Sequence, residues 1–183
     1  GYRLFDRARR QRPVGLLVRG ERADLRHHEG RFRKLEFAKR AERLGASVGA
    51  GASLDGSTAW LSALTENLDP SLALFADMLR RPDFAPAEIE RVRATWIADI
   101  RQQKARPAGM AGRVLPALLY GADHPYGSQP NGTEESIAAL SREDLVAYHR
   151  RWVRPEQATL VVVGDTTLAE IVPVLERHFG DWA

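Results

Sequence analysis

Five histidines, at positions 27, 28, 124, 149 and 178, are the side chains of this sequence best suited to metal or proton chemistry. Zinc sites built on one helix need two imidazoles a turn apart, as in H-x-x-x-H, H-E-x-x-H or H-x-x-E-H, and none of these spacings occurs. His27 and His28 are adjacent and followed by Glu29. Neighbouring side chains do not share a helical face, so a metal site there would need a loop and partners from elsewhere; the pair reads as incidental. The absence of cysteine removes disulfides, thiolate metal sites, iron–sulfur clusters and a thiol nucleophile together. His124, in Asp123-His124-Pro125-Tyr126-Gly127, has the choice of metal ligand, general base or packed loop residue, and the last is preferred because no acid or nucleophile stands at a defined spacing from it. His149 and His178 fall near the ends of helical patterns, where an imidazole suits the helix dipole, and both read as structural. G-x-S-x-G, G-x-G-x-x-G and G-x-x-x-x-G-K-[ST] are all missing. Glu88, Glu90 and Asp99, interleaved with Arg91, Arg93 and Arg101, read as solvated helix positions. From the residues alone no catalytic residue and no metal ligand is assigned, and the substrate-binding residues are unknown.

The elements that would position these residues are clear from Lys34 onward. Leu35, Phe37, Ala38, Ala41 and Leu44 recur at helical spacing and Gly45 follows as a stop. Ser47–Ser53 alternates small residues like a strand, Asp55-Gly56 marks a turn, and Thr58–Thr65 is the second arm of a hairpin. Asp69 is expected to cap a helix that carries Pro70 in its first turn, Leu72, Phe75, Ala76 and Leu79 on its apolar face, and Arg81-Pro82 at its end. Pro86 opens a helix to about Lys104 with Ile89, Val92, Trp96 and Ile100 on one stripe, and Ala108–Leu119 is a further helix bent by Pro116. After a loop over Tyr120–Thr133, Ser141 with Asp144 starts a helix to about Trp152. Thr159–Val163 is a continuous apolar run, expected to be a strand buried on both faces. Gly164-Asp165 turns the chain into a last helix capped by Thr167 with Glu170 and stopped by Gly180. This order predicts an α+β fold, an antiparallel-rich mixed sheet with helices packed on one face, and a single domain over residues 34–183.

Residues 1–33 are different. They are Arg-rich and poorly patterned, with one apolar run at Val14–Val18 that predicts a strand. Residues 1–40 hold 13 basic and 5 acidic side chains, whereas 41–183 hold 14 and 19, so the net charge of +3 belongs to the first forty residues alone. A basic arm could grip nucleic acid or an anionic membrane surface, and that is the alternative function. The stretch lacks the helical face and interleaved aromatics of a dedicated arm, which argues against nucleic acid. A hydrophobic content of 44% with 28% charged residues excludes disordered and fibrous classes. No apolar run approaches the ~18 residues of a membrane-spanning helix, and the N-terminus has no signal-peptide core.

Several dispersed segments together carry a resemblance. They are Leu44-Gly45-Ala46 before the hairpin, Leu68-Asp69-Pro70 with Arg81-Pro82-Asp83-Phe84, and Glu90-Arg91-Val92-Arg93. Further along come Tyr120-Gly121 with His124-Pro125-Tyr126-Gly127, then Gly132-Thr133-Glu134-Glu135-Ser136-Ile137. Asp144-Leu145, His149, Pro155, Leu160–Asp165 and Phe179-Gly180-Asp181-Trp182 complete the set. Over roughly residues 34–183 the sequence resembles one homology unit of the insulinase/pitrilysin zinc metallopeptidases, whose relatives include the mitochondrial processing peptidase. The resemblance implies a metallopeptidase-like α/β unit of the processing-peptidase type, paired with others in two clamshell halves around extended peptides. Active units carry H-x-x-E-H and a distal Glu on zinc. Here the corresponding stretch reads His28-Glu29-Gly30-Arg31-Phe32-Arg33, and Asp99 falls near the distal Glu. No catalytic residue carries over. The resemblance therefore implies a non-catalytic, structural and substrate-binding unit of a bacterial member, periplasmic or cytoplasmic. It implies no cofactor in this chain, zinc in a catalytic partner unit on the same or a second chain, and extended peptides as substrates, which could pair with an exposed sheet edge, the hairpin around Ser47–Thr65 being a candidate. Residues 1–28 depart from the family's apolar helix, so a truncated or disrupted N-terminus is expected.

Overall fold

The computed structural model describes residues 3–4, 14–20 and 31–182. The His27-His28 pair and most of the Arg-rich segment, with the binding role weighed for it, lie outside the described residues. The chain divides into two compact units, Gly1–Asp83 with Ala147–Ala183, and Phe84–Val146.

The first unit is built on a five-stranded sheet. Its strands are β1 (Arg3–Leu4), β2 (Val14–Gly20), β3 (Ser47–Ala52), β4 (Ser57–Ala63) and β5 (Thr159–Val163), in the order β1-β5-β2-β4-β3. β1 pairs parallel with β5 and every other neighbour is antiparallel. The run at Val14–Val18 is thus a central strand two residues longer than expected, with Leu17 opposite Trp60 on one side and Val161 on the other. The β3–β4 hairpin turns where Ser53 N–H donates to the Gly56 carbonyl at 2.8 Å. β4 ends at Ala63 rather than Thr65, because Thr65–Asn67 winds into a single 3₁₀ turn.

Period-2 alternation in β4 sends Ser57, Ala59, Leu61 and Ala63 to a buried face and Thr58, Trp60 and Ser62 to the opposite one. Two helices cover the buried face, α2 (Leu68–Arg80) and α7 (Leu168–Phe179). Leu68, Leu72, Phe75 and Leu79 fall on one stripe of α2, and with Ile171 and Leu175 of α7 they close over Ala59, Leu61, Ala63 and Val162. Phe75 stands edge-on to Phe179 with ring centres 6.4 Å apart. α1 (Arg31–Arg43) precedes β3, and Gly45, at φ +62°, provides the left-handed turn between them.

Two expectations are corrected here. β5 is not buried on both faces: Val162 faces the core, where α2 and α7 pack, whereas Val163 is 46% exposed. Asp69 does not cap α2, which begins one residue earlier with Asn67 in front of it. Its carboxylate instead accepts from Arg177 at 2.7 Å and lies 3.1 Å from Nε2 of His178, at the far end of α7. Those two hydrogen bonds hold its carboxyl below the usual range. The Thr167–Glu170 cap of α7 is present, with Thr167 N–H donating to the Glu170 carboxylate at 2.8 Å.

The second unit is helical: α3 (Pro86–Lys104), α4 (Pro107–Tyr120), α5 (Glu134–Ala139) and the start of α6 (Arg142–Trp152). α3 begins at Pro86 and stops at Lys104, three residues before Pro107, as expected, and α4 runs through Pro116. Ser141 and Asp144 cap α6 reciprocally, Ser141 N–H to the Asp144 carboxylate at 2.9 Å and Asp144 N–H to Ser141 Oγ at 3.1 Å. Glu88 corrects the reading of a solvated acid. It is 5% exposed and its carboxylate accepts from the Arg91 guanidinium, with Nε at 2.6 Å. α5 is held at its C-terminal end by Arg93, which donates to the carbonyls of Ile137, Ala138 and Leu140 at 2.8, 2.8 and 2.7 Å. At its start, Glu134 pairs with Arg101 and Lys104 at 2.6 and 2.9 Å.

Candidate functional site

The structure scatters the three described histidines, His124, His149 and His178, and gives each an ordinary partner. His124 Nδ1 accepts the Tyr126 amide at 3.1 Å, which makes it the cap of the 3₁₀ turn Pro125–Gly127. Its ring stacks on Tyr120 at 5.6 Å and meets Tyr126 edge-on at 5.5 Å. It is exposed, and the partners given for it lie within its own loop and at the end of α4. His178 sits with Arg177 on Asp69. His149 Nε2 lies 2.7 Å from the Leu79 carbonyl and must donate to it, since a carbonyl only accepts. Asp99 is exposed on α3. Among the described residues no group of three or more His, Asp or Glu side chains could hold a metal ion, so the donor set there does not fit zinc.

Burial lowers the pKa of His149, and the Leu79 hydrogen bond opposes that only in part. The folded protein therefore binds fewer protons here than the unfolded chain. Stability is fully present above the ordinary imidazole value near 6.5 and falls as the pH drops below it. We expect denaturant midpoints of the wild type to decline as the pH falls below about 6.5, and His149→Gln to flatten that limb.

What the described residues do offer is a sheet edge. Among them β3 is the last strand on its side, so every second residue turns its N–H and C=O away from β4. Val48 and Ala50 face the core, while Ser47, Gly49 and Gly51 share the face of Trp60, register partner of Gly49. No large side chain of β3 stands on that face. The space belongs to the indole: a Cβ built on Gly49 would lie 2.1 Å from Trp60 Cζ2, and one on Gly51 3.9 Å from Cζ3. Trp60 is nonetheless 42% exposed. An edge of this kind can pair with one more extended chain through the backbone alone.

Residues 29–124, more than half of the chain, match the family model described as Insulinase (Peptidase family M16). The chain belongs to the insulinase family. Residues 139–183 of this family member match a second model, described as Peptidase M16 inactive domain. An uncharacterised zinc protease of Mycobacterium leprae is 27% identical over 146 residues, 80% of this chain and 33% of that protein. The beta subunit of the mitochondrial-processing peptidase of Homo sapiens is 24% identical over 148 residues, 81% of this chain and 30% of that subunit. This insulinase-family chain thus spans about a third of the length of the curated relatives it matches. Among solved structures, a peptidase M16 inactive domain from Pseudomonas fluorescens superposes with a TM-score of 0.87 at 24% identity, over 98% of this chain and 47% of that one. The periplasmic protease PqqL of Escherichia coli gives 0.81 at 17% identity, over 99% of this chain and 22% of that one. These likenesses establish the fold read from the sequence. Among the described residues no helix is long and apolar enough to cross a membrane.

The hairpin around Ser47–Thr65 is the candidate edge expected from the sequence, and β3 is its outer arm among the described residues. Its signal in the sequence is the run of Gly and Ala in Ser47–Ala52 opposite a Trp-bearing strand.

Proposed function

We propose that residues 34–183 form a non-catalytic unit of an insulinase-family peptidase that helps hold an extended peptide. A zinc-bearing unit, on the same chain or a second one, performs the hydrolysis. The observation that carries this reading is the β3 edge, where Ser47–Gly51 is a run of small residues with no further strand beside it among the described residues. Backbone pairing there would accept many sequences. The lack of H-x-x-E-H, H-E-x-x-H and H-x-x-x-H in the sequence supports assigning the cutting to the partner unit.

The test uses the 183-residue chain with an unstructured decapeptide. We expect amide exchange over residues 47–51 to slow when the peptide is added, zinc well below one equivalent by elemental analysis, and no cleavage. Stoichiometric zinc together with cleavage that a chelator abolishes would overturn the non-catalytic assignment. Unchanged exchange in β3 at saturating peptide would overturn the binding role.

A further inference from the structure

We propose that Trp60 is a specificity-determining residue, giving the β3 edge a preference for an aromatic or large aliphatic side chain at the peptide position opposite Gly49. This rests on the reading that an extended peptide pairs with β3. Trp60 belongs to β4, one strand in from the edge, but its indole reaches outward across β3 and fills the place that a Gly49 side chain would take. The six-membered ring, through Cζ2, Cη2 and Cζ3, is the part that lies over Gly49 and Gly51. It therefore presents an apolar edge toward the next strand position.

A peptide strand added beyond β3 would alternate its side chains between the two faces of the sheet. Those on the Trp60 face would have Cβ atoms about 4.5–5.5 Å from the position directly opposite. Opposite Gly49 that position is occupied by the indole. Covering an edge glycine is by itself a structural service that aromatic residues perform in sheets. A ring serving only that purpose could be shielded, yet 42% of Trp60 remains in contact with solvent. The exposed part is apolar surface that a guest side chain would remove from water. The other parity faces the α2–α7 side of the sheet, where Val48 and Ala50 already pack, and carries no comparable surface. Preference should therefore be confined to every second residue.

The experiment measures binding of fluorescein-labelled nonapeptides, a Ser/Thr host with one guest position, to the 183-residue chain by anisotropy. Guests are Tyr, Leu, Ala and Asp, and Trp60→Phe and Trp60→Ala are compared with wild type. An aromatic pair is worth ~2–10-fold in affinity. We expect the Tyr guest to bind that much tighter than Ala in the wild type, and most of the difference to survive in Trp60→Phe. In Trp60→Ala it should fall within twofold. Equal binding of Tyr and Ala guests to wild type, or a preference that persists in Trp60→Ala, overturns the role of Trp60 and leaves peptide binding at β3 standing. Absence of any peptide binding overturns both. Should Trp60→Ala fail to fold, Trp60→Thr, which keeps a strand former without the ring, carries the comparison: a Tyr-over-Ala preference as large as that of the wild type overturns the proposal.

Discussion

Phe75→Ala is expected to cost about 3–5 kcal/mol of stability, the largest effect of any single truncation in the first unit. Phe75 is fully buried, and it is the largest of the side chains shielded to that degree. It stands where α2, α7 and β4 meet, so removing the ring empties a space bounded by Leu61, Leu72 and Phe179 that those residues cannot fill without leaving their rotamers. The loss combines the transfer term of the ring with the cavity left behind. Urea unfolding followed by circular dichroism measures it. A cost below about 1 kcal/mol would show that the core is much softer than its packing implies.

Arg93→Ala is expected to be the most damaging change in the helical unit, at about 2–3 kcal/mol. Its guanidinium is mostly buried and forks across three carbonyls at the end of α5, with Glu90 on its outer side. Those carbonyls are the ones a helix end leaves without partners, so one side chain does the work of a C-cap. A helix of six residues cannot hold itself together by propensity. Truncating Arg93 should therefore raise amide exchange in α5 far more than in α3. Arg93→Lys should recover less than half of the loss, because an ammonium is a point donor without the planar fork. Equal stability of the Lys variant and the wild type would show that charge, not geometry, is what Arg93 contributes.

Much of the framework was readable along the chain because its punctuation is local. Pro86 and Arg106-Pro107 bracket α3, and Asp55-Gly56 turns the hairpin. Thr167 with Glu170 and Ser141 with Asp144 open their helices as read. What escaped depends on partners far away in sequence. Asp69 has the composition of a cap, yet its partners Arg177 and His178 lie more than a hundred residues on. Glu88 looked solvated because acids usually are. It stands four residues before Val92 and twelve before Ile100, so it shares their stripe, and that spacing was the available clue. The Val run of β5 reads the same whether one face is covered or two, and only the elements packed against the strand decide it. α5 went unread because its start carries Ser136 where a capping box usually has an acid. Ser136 Oγ does that acid's task at 2.8 Å from the Thr133 amide. The candidate site is legible as the hairpin around Ser47–Thr65, but which of its arms lies at the edge is not, since an edge strand is defined by where the sheet ends.

The place of β2 in the sheet sets an order of assembly. It separates β4 from β5, and pairs with both, so the sheet unites a strand made among the first twenty residues with one made after residue 158. During synthesis the helical unit, a continuous stretch from Phe84 to Val146, emerges and can close its local contacts while β2 still shows one bare side. That side waits some 140 residues for its partner, at about 5–20 residues per second for a growing chain, an interval of many seconds in which an unpaired apolar strand is open to the wrong neighbour.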